Sequence, residues 1–378
     1  MYLKLTISLA LISWILLKTV SQGIQSPLLF IIGCALGISL YHASFGFAGV
    51  YRRLIEQKDM TGATAQLIML GLAILLFAPI LAQGTAFNHG VVGALAPVSV
   101  SMALGAFVFG IGMQIGGVCA SGTLFTSGAG NPRMLLLLCF FCIGAFRGSL
   151  DLGWWNQLPG IGSVSLGESL GWEVAIPLQL LVLASIYVLM RWSGCHVDQA
   201  ASRRNWVGWK RLLVGPWPLL YGAVALALLN WAVLVTAGHP WSITWGFTLW
   251  GAKLAVLTGW DPSTSAFWTG GFHQAALSSS LLTDTTSLLN FGIMLGALLA
   301  SAPSNKQKVE APWSPRSTLG LVAAGLLMGY GARLAYGCNI GAFFSGIASG
   351  SLHGWVWIVC AMSGIYLTIK FSRLLKIN

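Results

Sequence analysis

The stretch Gly110-Ile-Gly112-Met-Gln-Ile-Gly-Gly-Val-Cys119-Ala-Ser-Gly122-Thr-Leu-Phe125-Thr126 decides how this chain is read. A second version of it runs without a gap as Gly329-Tyr-Gly331-Ala-Arg-Leu-Ala-Tyr-Gly-Cys338-Asn-Ile-Gly341-Ala-Phe-Phe344-Ser345. Cys338 follows Cys119 by 219 positions, and at that offset six residues of 110–129 are identical: Gly110, Gly112, Cys119, Gly122, Phe125 and Ala129. Composition alone would give about one or two matches. Glycine is abundant here, so the cysteine and phenylalanine matches carry the weight. Self-similarity at one long offset marks an internal repeat.

Outward from that stretch, the offset lays 3–22 onto 222–241, 65–83 onto 284–302, 96–118 onto 315–337 and 134–150 onto 353–369. Each is an apolar run near the roughly 20 residues a spanning helix needs. Candidate spans are 3–22, 65–83, 96–118, 134–150, 172–190, 214–237, 278–300, 318–337 and 353–370. Two further runs, 29–50 and 244–272, are interrupted by Gly, Ser, Pro and charge and also overlap under the offset. They read as re-entrant half-helices. The first run has only Lys4 ahead of it and no small-residue cleavage site, so it reads as a mature helix rather than a signal peptide.

Composition agrees. Charged residues make up 8% of the 378 positions, against roughly 25% in ordinary soluble domains. Hydrophobic residues reach 56% and mean hydropathy is +0.79. A soluble fold cannot cover its surface with so few charges, and the 17 Trp and 18 Phe exclude a disordered chain. Seven cysteines, mostly inside apolar runs, read as free thiols rather than a disulfide scaffold. The net charge of +11 sits in short loops between apolar runs, which is a topology signal and not a nucleic-acid surface.

The basic loops set the topology. Arg52, Arg53 and Lys58; Arg133; Arg191, Arg203, Arg204, Lys210 and Arg211; Lys306, Lys308 and Arg316; and Lys370, Arg373 and Lys376 are expected on the cytoplasmic side. The loops near 84–95, 151–171 and 238–244 lack Lys and Arg and are expected outside. The expected fold is therefore an all-α polytopic membrane protein of about nine transmembrane helices plus re-entrant half-helices. Residues 1–171 form a first repeat, 172–211 a linking helix with a basic loop, and 212–378 a second repeat of inverted topology. The C-terminus falls in the cytoplasm and the N-terminus outside, which leaves Lys4 as a basic residue on the wrong side.

Inverted repeats with broken helices place a site near the midplane, where half-helix ends point at a solute. Gly116-Gly117 and Gly337 with Gly341 let backbone amides approach a small ligand; alternatively, small residues serve close helix packing. Most membrane cysteines are small apolar filler, and Cys34, Cys139, Cys142, Cys195 and Cys360 read that way. Cys119 and Cys338 differ because they recur at the end of a Gly-rich helix in both halves. A neutral thiol there is a weak donor with a polarizable sulfur, suited to a soft anion. The histidines form no cluster of metal-ligand spacing, and no bound metal or cofactor is expected. Arg333, whose repeat partner is Gln114, reads as an anion attractor or a snorkelling anchor. Asp261-Pro262-Ser263 reads as a helix cap. No Walker A loop, catalytic triad or nucleotide fingerprint occurs.

At three stretches the sequence resembles the YeeE/YedE family of bacterial sulfur-transport membrane proteins. Gly116-Gly117-Val-Cys119-Ala-Ser-Gly122-Thr123 is similar to that family's Gly-Gly-Cys-x-[Ser/Thr]-Gly signature, with one residue inserted before the cysteine. Gly331-Ala-Arg333-Leu-Ala-Tyr-Gly337-Cys338-Asn339, continuing through Phe343-Phe344-Ser345-Gly346 to Ser351-Leu352-His353, resembles the other half's signature. Ser44-Phe45-Gly46-Phe47-Ala48-Gly49-Val-Tyr51-Arg52 resembles the re-entrant Phe-Cys-[Phe/Leu] motif, with Gly46 at the cysteine position.

The resemblance implies an hourglass-shaped path in a bacterial inner membrane, along which three cysteines pass thiosulfate inward by successive S–H contacts. Cys119 and Cys338 occupy two of those positions and Gly46 the third, where it widens the constriction. Ser121, Thr123 and Asn339 would add hydroxyl or amide donors and Arg333 long-range attraction. The partners implied are a small thiosulfate-like anion, the lipid bilayer and a cytoplasmic sulfurtransferase. Rival readings are a membrane thiol sulfurtransferase carrying persulfide sulfur, carriage of another sulfur or selenium species, and a scaffold whose repeats serve packing alone.

Overall fold

The computed structural model describes residues 2–198, 214–303 and 313–374. The basic positions Arg203, Arg204, Lys210, Arg211, Lys306, Lys308 and Lys376 lie outside the described residues. The described residues are helical almost throughout, with one short hairpin (β1 Thr85–Ala86 with β2 His89–Gly90) and one antiparallel pair of strands distant in sequence (β3 Pro97–Ser99 with β4 Gly160–Ser163). The first half holds α1 (Tyr2–Val20), α2 (Gln25–Ala43), α3 (Phe47–Gln57), α4 (Thr61–Gln83), α5 (Val100–Gly116), α6 (Ala120–Gly128) and α7 (Pro132–Trp155). The short α8 (Leu166–Leu170) leads into α9 (Trp172–Trp192). The second half holds α10 (Leu219–Ala237), α11 (Thr244–Leu257), α12 (Gly271–Ser278), α13 (Thr285–Ser301) and α14 (Pro315–Leu334). A π-helical turn Asn339–Phe344 then runs into α15 (Ser345–Ala348), and α16 (Leu352–Leu374) follows. Among the described residues nine helices are long and apolar enough to cross a membrane.

Those nine are not the nine expected spans. The stretch 25–57 qualifies as a kinked span, whereas 278–300 yields α13, a shorter apolar helix of 17 residues. The apparent interruptions Gly33, Gly37 and Ser39 do not break α2. Gly33 packs on Leu289 and Gly292, Gly37 on the Ile293 carbonyl, and Ser39 Oγ donates to its own helix at Ala35 at 2.8 Å. In the first stretch only Ser44, in the left-handed region at φ 47°, ends the helix.

The helix α2 runs antiparallel to α10 along its length. Gln25 Nε2 donates to the Thr236 carbonyl at 2.6 Å at one end, and at the other Trp217 N–H donates to the His42 carbonyl at 2.9 Å. The first interrupted stretch is thus a full crossing followed by a kink, not a hairpin that dips and returns. Lys4 Nζ donates to the Ala129 carbonyl at 3.3 Å, which sets the N-terminus at the end of the bundle that carries Arg133. The second stretch does return: Ser242 before α11 and Phe272 after it line one cavity. Between them Trp268 Nε1 donates to Ser149 Oγ at 3.0 Å.

The two cysteine-bearing helices pack on each other at the centre. A methyl at Gly105 would strike the Gly331 carbonyl and one at Gly112 the Ala324 carbonyl, so α5 and α14 run antiparallel. Each of these contacts is the other moved by the offset. Gly110 likewise meets the Ala361 carbonyl of α16, while its counterpart Gly329 meets the Phe141 carbonyl of α7. Such close backbone approach is what lets dispersion hold apolar helices together in lipid. The heaviest packing runs between the halves, α7 on α14, α2 on α13 and α5 on α14, so neither half is a separate globule.

Candidate substrate pathway

Each counterpart helix breaks at its cysteine. Helix α5 ends at Gly117, in the left-handed region at φ +65°, and restarts as α6 with Cys119 as its N-cap residue. Helix α14 ends through Tyr336 (φ 58°) and Gly337 (φ +156°), and the π turn restarts with Cys338 as N-cap. Glycine accepts such angles without steric cost. The glycines therefore divide: Gly105, Gly110 and Gly112 serve packing, while Gly117 and Gly337 shape the breaks. The restarted segments aim free N–H groups at the thiols. Gly122 N–H donates to Cys119 Sγ at 3.4 Å, and the Ile340 and Gly341 amides face the Cys338 sulfur.

Both thiols are 1% exposed, and each is close enough for its charge to act on the other, so both helix breaks lie inside the bundle on the same side of the α5–α14 crossing as their shared partner α3. Ser121 Oγ stands 3.3 Å from Cys119 Sγ, close enough to polarise it or to join it in holding a solute. The Thr123 hydroxyl is already committed, donating to the Cys119 carbonyl at 3.0 Å. Asn339, buried directly after Cys338, has neither side-chain nitrogen nor oxygen hydrogen-bonded.

Gly46 caps the start of α3 with an ordinary extended backbone, and no atom lies within 4 Å of where a Cβ would stand. It borders open space. Arg333 stands apart from the thiols, on the face of α14 turned to α7 and the 260–273 segment. Its guanidinium lies 5.0 Å from the Phe267 ring centroid and its Cβ packs on Gly148. His273 stacks on the same Phe267 ring at 4.0 Å. Burial first, and then the Arg333 charge, hold His273 below its ordinary pKa.

A cavity of about 490 Å³ opens at the end of the bundle that holds the Lys- and Arg-free 238–244 loop. Ser242 in its wall is the side chain against which a Cβ on Gly341 would pack, at 3.3 Å. The cavity floor is thus three residues from Cys338. Gly46 belongs to the opposite end, next to Phe45, which packs near Gly222. The acidic residues are structural: Asp261 accepts from Ser263 N–H at 2.9 Å, and Asp284 caps α13 and accepts from Trp245 Nε1 at 2.9 Å. Among the described residues no three His, Cys, Asp or Glu side chains gather into a metal-binding set.

Sequence reasoning passed over Tyr51. It is 5% exposed, its hydroxyl has no hydrogen-bond partner, and it lies within electrostatic range of Cys119 while facing Asn339. A buried, unpaired tyrosine on a kinked span is not visible in a single sequence, because its neighbours come from elements far along the chain.

Apolar helices crossing the full thickness of a bilayer, two of them broken around buried thiols, define a multi-pass membrane protein. The chain belongs to the Sulphur transport family, whose pattern it matches over residues 42–367. It is 28% identical over 346 residues to the thiosulfate transporter TsuA of Spirochaeta thermophila, covering 86% of this chain and 92% of that one. It is 24% identical over 353 residues to TsuA of Escherichia coli, covering 89% and 91%. It is also 31% identical over 162 residues to the probable transporter YedE of Escherichia coli, a match that spans 43% of this chain and only 39% of that relative's length.

Proposed function

We propose that this protein carries a small sulfur-containing anion, thiosulfate in the first instance, into the cytoplasm along a route past Cys338 and Cys119. The observation that carries this reading is the burial of two thiols, near enough for their charges to interact, at the breaks of two antiparallel counterpart helices. The cavity reaches Ser242, which Gly341 faces three residues after Cys338, and Gly46 borders open space toward the other end of α10. Relatives covering nine-tenths of their own length that are named thiosulfate transporters support the choice of anion.

A sulfur anion is large, soft and doubly charged, so weak neutral donors hold it without trapping it. Thiols, Ser121 and the half-helix N–H groups supply such donors. Burial of both thiols favours transport over persulfide chemistry, since reactive cysteines sit in partly exposed, electropositive surroundings.

On this reading α4–α7 and α13–α16 are the inverted repeat, with 1–171 and 212–378 as its halves joined by 172–211. The end bearing Arg133, Lys58 and Lys4 faces the cytoplasm, and the cavity faces outward. The N-terminus then lies inside, and the misplaced charge at Lys4 disappears. The test is uptake of labelled thiosulfate into proteoliposomes by wild type, Cys119→Ala and Cys338→Ala. Each substitution is expected to lower uptake at least tenfold. Unchanged uptake in both would take the thiols out of the mechanism.

A further inference from the structure

Helix α3 is held from both broken helices at once. Gln114 Nε2, from the last turn of α5, donates to the Ala48 carbonyl at 3.1 Å. Phe343, in the π turn after Cys338, packs edge-on against Phe47 with ring centroids 6.3 Å apart. Tyr51 follows Phe47 by one helical turn and so lies on the same face. That position carries the phenol between the two helix breaks. Arg52 and Arg53 point away, to Glu56 at 3.1 Å and Asp59 at 3.6 Å, with about half of each side chain exposed.

What Tyr51 meets there is unusual. Its hydroxyl faces the Asn339 carboxamide but stops short of a hydrogen bond, and Tyr51 Oη, Asn339 Nδ2 and Asn339 Oδ1 are all buried without a partner. Buried polar groups in folded proteins are nearly always paired, and leaving one unpaired is destabilising. Three orphan atoms on two neighbouring side chains, Asn339 directly after Cys338 and Tyr51 close enough to Cys119 to feel its charge, are polar groups that the fold leaves unpaired at a cost. Neither side chain carries a charge of its own.

We infer that Tyr51 and Asn339 form an oxyanion subsite between the two thiols, one that takes the oxygen-bearing end of the passing anion while sulfur contacts the cysteines. This rests on the transport reading above and adds to it a division of labour. Phenol O–H and amide N–H are hard donors suited to sulfonyl oxygens; the thiols are soft partners suited to the terminal sulfur. An anion offering both kinds of atom satisfies the whole throat. Neutral donors release a dianion more readily than a lysine or arginine would, which a conducting site requires.

The test compares wild type, Tyr51→Phe and Asn339→Leu in thiosulfate uptake by proteoliposomes, with thermal unfolding of each protein in the absence and presence of thiosulfate. The expected result has three parts. KM for thiosulfate rises roughly tenfold or more in each variant, as for loss of a hydrogen bond to a charged group. The thiosulfate-induced rise in unfolding temperature shrinks. The anion-free Tyr51→Phe protein unfolds no lower than wild type, because an unpaired hydroxyl has been removed. A Tyr51→Phe protein that unfolds lower yet keeps the wild-type KM makes the phenol structural, for instance bonded to one trapped water, and overturns the subsite. A wild type that takes up thiosulfate alongside variants of equal KM overturns the subsite alone. A wild type that carries no thiosulfate removes the transport reading, and the subsite with it.

Discussion

Asn230, in the middle of α10, donates from its amide to Ser345 Oγ at 3.2 Å, and Ser345 donates in turn to the Trp241 carbonyl at 2.8 Å. The same Asn230 accepts the Trp241 backbone N–H at 2.8 Å. Three buried residues thereby tie the non-helical 238–243 segment to the helix that restarts after Cys338. Irregular backbone at this depth persists only where its polar groups are satisfied inside the protein.

Asn230→Leu removes both bonds made by that side chain and leaves a buried N–H orphaned. Stability should fall by about 2 kcal/mol, and thiosulfate uptake should fall with it, because Ser242 and the floor of the cavity lose their anchor. Thermal unfolding in detergent, followed by tryptophan fluorescence, measures the first effect. An unchanged midpoint would mean that the segment is held by packing alone.

Glycines at the helix crossings should be far less tolerant than those facing open space. A Cβ at Gly110 runs into the Ala361 carbonyl, a backbone atom that cannot yield, whereas one at Gly320 in α14 meets nothing within 4 Å. Gly110→Val is expected to abolish recovery of monodisperse protein. Gly320→Ala should be neutral or stabilising by about 0.5–1 kcal/mol, through the lower flexibility of the unfolded chain. Size-exclusion profiles of the two variants decide it.

Gly46 has room for a larger side chain and a backbone that any residue adopts. Gly46→Cys is expected to leave the unfolding temperature within a degree or so of wild type and to keep thiosulfate uptake. Gly46→Trp should fold equally well but cut uptake severely by filling the opening. Uptake by the Trp variant at the wild-type level would place the route elsewhere.

His273 supplies a pH dependence with a definite sign. Burial and the neighbouring Arg333 hold its folded-state pKa below that of the unfolded chain. The unfolded state therefore takes up a proton first as pH falls, and the stability due to neutral His273 is lost from the ordinary histidine range downward. His273→Gln should flatten the fall in unfolding temperature between about pH 7 and pH 5. Identical pH profiles for variant and wild type would contradict this.

Much of the site was legible in the sequence because it is repeated there. The offset that pairs Cys119 with Cys338 also pairs Gly105 with Ala324 and Gly112 with Gly331, and these residues exchange contacts across the α5–α14 crossing. Asp261 was legible too, since a cap needs only its next two residues. Other features were not legible in residue order. The Thr123 hydroxyl bonds one turn back to the Cys119 carbonyl, which only the restart of the helix at Cys119 makes possible. Arg333 lies five residues before Cys338, yet the helix turns it to the opposite side, against Phe267.

The bilayer explains what the sequence determined by itself. Apolar length, glycine at left-handed positions and a repeated cysteine are local demands of lipid and backbone, so helices, breaks and thiols follow from the residues in order. Whether α2 crosses or returns was decided only by tertiary structure, through Gln25 against Thr236 and Gly33 and Gly37 against α13. The same holds for Tyr51, whose place opposite Asn339 depends on two anchors, Gln114 and Phe343, that lie 66 positions beyond Ala48 in one case and in the other half of the chain in the second. Contacts between helices have no periodicity to announce them, and here they settle both the path of the chain and what lines it.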